Sequence, residues 1–592
     1  MFLSNTTTPN FVAIDTETTG LNPWRGDRMF AAAAVFPNGR ILFWRDEFSG
    51  LREVLADEAV DKVFHNATFD LRMLEFSGFR IRGNVWDTVI LTHLADGRQS
   101  LKLEDVSKRY LPSHRRKVST ELTDWFKEHK ILKAQQGKHF ADLPSELLKK
   151  RCVGDATLTA LLFMRLYPVI KGEFPLLLKQ EHRLIPIVKK MEDRGLLVDL
   201  NEIKSQQVYL TEVVKDVTYF CEDVVGWEGF NLNSHDHQEE LLAMAGVLEH
   251  IKEKTKKTRK PKLSKEVLKD LHHPVASMLA MGKQASDLSS KFLNQVLNFQ
   301  VDSILHPNWH QAGTLSGRFS TSKPNILNIP EEGGHLSETE AEEALEFTGE
   351  DFAPHIKRCF ICRPGYSHLN SDKAKLEVVM LAHYTADPTL LAILKSGHDI
   401  HSEISERMFD SKDKGLRVRA KAVVFGFMYG AGDERIAINC KCSLTEAKEY
   451  RRRLQQVFPG LSKWNRDLQR QLQDRGFIRT AHGRRHYLDR EESYMAVNRM
   501  CQGTGADEVK SRMIAVDDWL NSNYPDGTII LNYHDALTIE TPTELIPEMA
   551  PKFHELMEET SISFRAALPS SLEVTHTRWS DLQEYKNETQ QS

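Results

Sequence analysis

Arg417, Lys421, Phe425 and Tyr429 recur at four-residue steps within Arg417-Val418-Arg419-Ala420-Lys421-Ala422-Val423-Val424-Phe425-Gly426-Phe427-Met428-Tyr429-Gly430. On an α-helix each such step turns about 400°, so the four form one slowly drifting stripe. Two cations in that array can hold a polyphosphate, and the rings after them can stack on a base. Ala422, Val424, Phe427 and Met428 supply much of the opposite, packing face. The stripe reads as a grip for a nucleoside triphosphate.

A second set is acidic. Asp15 and Glu17 lie two apart in Phe11-Val12-Ala13-Ile14-Asp15-Thr16-Glu17-Thr18-Thr19-Gly20, so a strand aims both carboxylates to one side. Asp70 closes Val63-Phe64-His65-Asn66-Ala67-Thr68-Phe69-Asp70, where a short strand passes into a helix. Asp155 sits on a later helix beginning near Leu147. Any single surface Asp or Glu means nothing. Four convergent ones suit two divalent metals that bridge a phosphate, activate water and stabilise the leaving oxygen.

Other elements frame these residues. Ala31 to Phe36 and Arg40 to Trp44, joined through Pro37-Asn38-Gly39, read as a hairpin. Leu184, Ile185, Val188 and Met191 give helical periodicity that closes at Gly195. Thr528 to Glu540 reads as two apolar strands around a tight turn presenting His534 and Asp535. A chain of 592 residues needs two or more domains. No run of about eighteen apolar residues occurs, so no membrane span is expected. The first residues lack the regions of a secretory signal. Seven cysteines in this length do not make a disulfide scaffold, so a reducing cytoplasm is expected.

The net charge of −5 looks unsuited to nucleic acid until its distribution is considered. Residues 331–351 hold nine carboxylates and no Lys or Arg, so the remainder is net positive, and the acidic stretch reads as an exposed insertion. Lys252, Lys254, Lys256, Lys257, Arg259, Lys260 and Lys262 form a basic run that suits either a solvated face or a phosphate-tracking loop.

The Asp-Thr-Glu-Thr-Thr-Gly and Asn-Ala-Thr-Phe-Asp runs resemble the DEDD 3′–5′ exonucleases, with a ribonuclease-H-like fold. That resemblance implies Asp15, Glu17, Asp70 and Asp155 as ligands of two metals, and Asp87 as a structural acid. Such enzymes place a Tyr four residues, or a His five residues, before the last Asp to orient water. Arg151 and Lys150 stand there instead, and neither accepts a proton from water.

Met191-Glu192-Asp193-Arg194-Gly195-Leu196-Leu197-Val198-Asp199 resembles the start of the polymerase part of family A DNA polymerases. The C-terminal half extends the resemblance over nearly the whole chain. Thr314-Leu315-Ser316-Gly317-Arg318-Phe319-Ser320-Thr321 with Pro324-Asn325-Ile326-Leu327-Asn328-Ile329-Pro330 is similar to the family's TGRxSS…PNLQNIP signature, and implies Arg318 as a primer or minor-groove contact. Leu327 replaces a Gln. Leu369-Asn370-Ser371-Asp372-Lys373-Ala374-Lys375-Leu376-Glu377 sits where the family has DYSQIE. Asp372 would bind both catalytic metals and Glu377 would exclude a ribose 2′-hydroxyl, while Lys373 and Lys375 replace Tyr and Gln.

By the same resemblance Arg417, Lys421 and His401 bind the triphosphate, with Lys421 a proton donor to pyrophosphate. Phe425 stacks by the incoming nucleotide and Tyr429 sits by the templating base. His534 and Asp535 match the His-Asp-Glu hairpin, with Asp535 the second metal ligand and Ala536 in place of Glu. Asn498 and Gln502 match primer-template contacts. Cys359-x₂-Cys362 and Cys440-x-Cys442 read as buried thiols rather than a zinc site.

The resemblance implies an α/β multidomain fold: a ribonuclease-H-like exonuclease domain over 1–170, then a right-hand polymerase domain over 171–592. Its thumb would span about 200–300, its fingers about 390–480, and its palm the remaining segments. The implied activity is template-directed DNA synthesis from deoxynucleoside triphosphates with 3′–5′ proofreading. Two Mg²⁺ ions per active site are implied, with Mn²⁺ able to substitute. Expected partners are primer-template DNA, deoxynucleoside triphosphates and replisome proteins, with no membrane, for a monomer in the cytoplasm. The start at the proofreading motif implies no 5′-nuclease domain, and the divergent motifs suggest a phage replicative enzyme in its host's cytoplasm. Two alternatives stand beside this: an exonuclease whose polymerase half has decayed, and a non-catalytic primer-template binding protein.

Overall fold

The computed structural model describes residues 9–112, 120–133, 135–251, 253–255, 258–271, 273–329 and 355–586. The acidic stretch 331–351 lies outside the described residues, as do Lys252, Lys256 and Lys257 of the basic run.

The N-terminal region is a five-stranded sheet in the order β3-β2-β1-β4-β5: β1 Phe11–Thr18, β2 Met29–Val35, β3 Ile41–Arg45, β4 Asp61–Phe64 and β5 Val85–Asp87. β1 pairs antiparallel with β2 and parallel with β4. The expected hairpin joins β2 to β3, with Gly39 at φ 89° making the turn. Four of the seven residues of β2 are alanine, and this low bulk lets the helix Ser145–Glu173 lie against β1 and β2. That helix is long and apolar enough to cross a membrane by length and composition, a feature the sequence expectation did not register. Here it buries Cys152, Ala156, Phe163 and Ile170 in the N-terminal core, with the Phe163 ring edge-on to Phe11 at 4.8 Å.

The C-terminal region is built on a second five-stranded sheet, antiparallel throughout. Its spatial order is Thr528–Tyr533, Ala536–Pro542, Tyr366–Asp372, Glu573–Thr575 and Gln583–Glu584. The long helix Ala496–Asn523 and the helix Ile546–Glu558 pack together beside it. Residues 388–475 are helical, and they carry the predicted cation-aromatic stripe on Lys414–Met428. In 200–299 the helix Leu200–Val225 packs on Pro274–Asp287. The described part of the basic run forms a turn, in which Lys260 pairs with Asp236 at 2.5 Å and Lys262 with Glu253 at 2.9 Å.

The helix Pro175–Arg194 joins the two regions, and Gly195 (φ 61°) ends it as expected. From it Glu181 enters a fully buried ion cluster. Lys510 Nζ lies 2.8 Å from Glu181 Oε1, and Arg484 pairs with both Glu181 and Asp507, the latter at 2.6 Å. Burial alone would raise the Glu181 carboxyl, but Lys510 and Arg484 outweigh it and bring the group down to about 2. Two cations and two carboxylates therefore balance inside the protein. Unpairing one member of such a cluster leaves an uncompensated buried charge.

Glu181→Ala should therefore destabilise the protein by about 3–5 kcal/mol, read as a lower urea midpoint. The Glu181 contribution is present in full above its ordinary value of 4.5 and is lost as pH falls toward about 2. The mutant should accordingly lose stability less steeply on acidification than the parent, and parallel pH profiles would contradict the assignment.

Candidate active sites

The first site grows from β1. Strand alternation puts Asp15 and Glu17 on one side, and an oxygen of each lies within 4.8 Å of the other and of Cys152 Sγ. Asp70, on the helix Ala67–Phe76, accepts from Thr16 Oγ1 at 2.6 Å. Asp155 comes from Ser145–Glu173. Desolvation, then Asp155, Glu17 and Asp70, drive the Asp15 carboxyl well above the usual range, with Arg151 opposing. Burial likewise raises Glu17 and Asp155 against the pull of Arg151, and lifts Asp70 to about 7. The structure thus brings all four predicted acids together. Four oxygen donors whose charge is disfavoured without a counter-ion fit hard divalent cations such as Mg²⁺ or Mn²⁺.

Asp87 is not among them. Its carboxylate accepts from the backbone N–H groups of Asn66 (2.9 Å), Ala67 (2.8 Å) and Val89 (2.8 Å), capping two helix starts at once. It fixes the helix that carries Asp70, a structural part as expected. Arg151 was visible in the sequence, but its two contacts were not. Arg151 Nε donates to Glu17 Oε1 at 2.6 Å, and Phe140 lies 4.3 Å beneath its guanidinium. Lys150 points elsewhere, to Glu121 at 2.8 Å.

The second site sits at the end of the central strand of the C-terminal sheet, beside the turn that joins Thr528–Tyr533 to Ala536–Pro542. Asp372 ends its strand opposite Ala536, and Lys373 N–H donates to the Asp535 carbonyl at 3.3 Å. Both acids line a cleft of about 490 Å³ together with Asn370, His534, Ala536 and Glu573. His534, at φ 55°, takes the left-handed position of the turn between strands. Again the donor set is hard oxygen, suited to divalent cations.

Arg318 pairs with an acid of this cleft. It donates to Asp535 at 3.0 Å and lies 3.7 Å from Glu377. Tyr429 Oη donates to Glu377 at 3.1 Å, and Gln502 Nε2 reaches Tyr429 at 3.5 Å. Asn498 lies one turn before Gln502 on the same helix. Burial raises the Glu377 carboxyl despite Arg318.

The stripe forms as read, with Tyr429 as the helix C-cap. Its buried face is Ala420, Val423, Val424, Phe427 and Met428. Ala422, expected there, is only partly buried, because the 3.6-residue repeat rotates it to the flank. Arg417 forms a two-pronged pair with Asp399, at 2.8 and 3.1 Å. His401 packs 5.9 Å from the Phe425 ring and is lowered to about 4 by burial and then Lys421. Lys421 Nζ lies 5.9 Å over Phe425. No periodicity pointed to Asp399.

Of the two substitutions beside Asp372, Lys373 turns away from the cleft. It is buried, bonded to the Met557 carbonyl and to that of Glu559 at 3.4 Å, and burial lowers it to about 8. Lys375 adopts φ 62° as N-cap of Leu376–Thr385. Cys359, Cys362 and Cys440 are buried thiols as expected, Cys442 is only half-buried, and all seven cysteines are free.

A family model described as DNA polymerase family A matches residues 200–581, and one described as 3′-5′ exonuclease matches residues 2–171. DNA polymerase I of Synechocystis sp. is 26% identical over 554 residues, covering 86% of this chain and 52% of the relative. That of Chloroflexus aurantiacus is 26% identical over 596 residues, covering 95% and 60%. The thermostable DNA polymerase I of Thermus aquaticus is 28% identical over 442 residues, covering 71% and 50%. The chain thus spans about half to three-fifths of the length of these relatives. In fold it is similar to the POL domain of Pol1 from M. smegmatis, solved in complex with DNA primer-template and dNTP. The TM-score is 0.78 at 24% identity, covering 97% of this chain and 96% of that one.

Asp87→Ala should leave three backbone donors without their acceptor and cost about 2 kcal/mol or more. Chemical denaturation followed by circular dichroism checks this. An unchanged midpoint would show that water replaces the cap.

Proposed function

We propose template-directed DNA synthesis, with 3′–5′ exonucleolytic removal of primer ends, for this chain, which belongs to DNA polymerase family A and carries a 3′-5′ exonuclease domain. The observation that carries this reading is the shared cleft of Asp372 and Asp535, linked through Arg318 to Glu377 and on to Tyr429, the C-cap of the helix that bears the cationic stripe. Two divalent ions per site, Mg²⁺ or Mn²⁺ in its place, would be held by Asp372 and Asp535 at one site and by Asp15, Glu17, Asp70 and Asp155 at the other, and would there polarise phosphate and stabilise the leaving oxygen.

The protein's own groups do the positioning. Arg417, Lys421 and His401 take the triphosphate, and Lys421 donates a proton to the leaving pyrophosphate. Arg417 exchanges Asp399 for phosphate, a like-for-like exchange of anionic partners. Phe425 offers its ring to the incoming nucleotide. Glu377, held by Tyr429, crowds and poorly solvates a 2′-hydroxyl, which favours deoxynucleotides. Arg318 releases Asp535 and turns to the primer, and Asn498, Gln502 and His534 contact primer-template DNA. Closure of the Lys414–Met428 helix on a correct pair supplies selection.

Primer-template DNA and deoxynucleoside triphosphates are thus the partners, with replisome proteins beyond them, for a monomer in a reducing cytoplasm that suits seven free thiols. The exonuclease would span 1–170 and the polymerase 171–592, with a thumb near 200–300 and fingers near 390–480. The matched relatives are bacterial, so a role in phage replication gains no support from them. A decayed polymerase half would be favoured by a cation in the cleft at Lys373, but that ammonium is bonded to the Met557 and Glu559 carbonyls. A purely binding role would require both acid sets to be silent.

Asp535→Ala should lower primer extension by about a thousandfold or more while leaving degradation of single strands unchanged. Asp15→Ala should do the reverse. Both are read on labelled primers with matched and mismatched ends, and joint loss of the two activities in either variant would contradict separate sites.

A further inference from the structure

Arg151 does more than fill the position where related enzymes orient water. It stands one helical turn before Asp155, so both side chains face β1. Its Nε bonds Glu17 at 2.6 Å and a terminal nitrogen lies 3.6 Å from Asp155 Oδ2. The planar group therefore spans two of the four acids that a metal would have to share. Phe140, 4.3 Å below, holds the plane in place, while 29% of the side chain remains open to solvent.

We propose that Arg151 is a built-in counter-cation that keeps divalent ions out of the Asp15–Glu17–Asp70–Asp155 site until a phosphodiester of single-stranded DNA draws the guanidinium off Glu17. The proposal rests on the exonuclease assignment of that site. Arginine stays charged at any working pH, so it cannot leave by losing its proton. It leaves only for a better anion. Phosphate offers the same two-pronged acceptor geometry as a carboxylate, and the exposed edge of the group is where such a ligand would arrive. Releasing Glu17 then frees a full ligand for the ion. The consequence is coupling: DNA tightens metal binding, and metal tightens DNA binding by the same factor. Hydrolysis is thereby confined to moments when a frayed end is present.

The test is Mn²⁺ binding followed by electron paramagnetic resonance. It uses the full chain carrying Asp372→Asn and Asp535→Asn to silence the other site, with Asp15→Asn marking which ions belong to the exonuclease. Arg151→Met, which keeps packing on Phe140, and Arg151→Ala should each tighten Asp15-dependent Mn²⁺ binding by about ten- to a hundredfold. A phosphorothioate oligothymidylate should tighten binding by a similar factor with Arg151 present and by much less in either variant. Superimposable isotherms for all three proteins, each lost on Asp15→Asn, would overturn the counter-cation while leaving the metal site standing. Absence of any Asp15-dependent ion would overturn the exonuclease assignment and the proposal together.

Discussion

The buried cluster of Glu181, Arg484, Asp507 and Lys510 is the constraint on which the relative placement of everything else depends. Its members come from the helix joining the two regions, from the segment around Arg484 and from the long helix Ala496–Asn523. Each is almost wholly removed from water, so none can tolerate a shift that lengthens its contacts. Gln311 ties the signature segment before Arg318 into the same network, donating to the Glu181 carboxylate at 2.9 Å and accepting from Lys510. His93, on the exonuclease side, reaches the Thr314 carbonyl at 2.9 Å. The charges thus fix where Arg318 leaves the core and how the N-terminal sheet sits against it.

The two candidate sites differ in their electrostatics. The first gathers carboxylates in a desolvated place, where burial and mutual repulsion favour the neutral form, whereas in the second burial raises Glu377 and Asp372 stays exposed. Each carries one arginine on its acids: Arg151 on Glu17 and Asp155, Arg318 on Asp535 and Glu377. The two arginines differ in attachment. Arg318 projects from a loop near the substrate cleft, whereas Arg151 is anchored on a core helix and backed by Phe140.

What could be read from the sequence follows from how local each signal is. Asp15 and Glu17 were legible because strand alternation is a two-residue rule, and the stripe because helix periodicity is a four-residue one. The hairpin at Asn38-Gly39 and the stop at Gly195 were legible because backbone sterics decide them. Asp399, Phe140 and Glu181 were not, since their partners lie 18, 11 and more than 300 residues away. Charged residues read as surface, yet Glu181, Arg484, Asp507 and Lys510 are core. The type of residue at 151 was visible, but its aim at Glu17 depends on how closely Ser145–Glu173 settles on the alanines of β2. The displacement of Ala422 by Val423 on the packing face follows instead from the 3.6-residue repeat itself.

Ala536 shows how far the site constrains its own chemistry. It faces Asp372 across the ladder and is itself buried. A carboxylate in that place would set a third negative charge beside Asp372 and Asp535. The methyl removes that repulsion and leaves Asp535 with one arginine for company. A nearby acid remains at Glu573, on the strand flanking Asp372 from the other side. Its carboxylate is held by Asn370 at 2.8 Å. The acidic character of the cleft is therefore kept, but shifted from the turn to a strand whose position is set by hydrogen bonding on both edges. A strand paired on both edges is held more firmly than a residue in a turn.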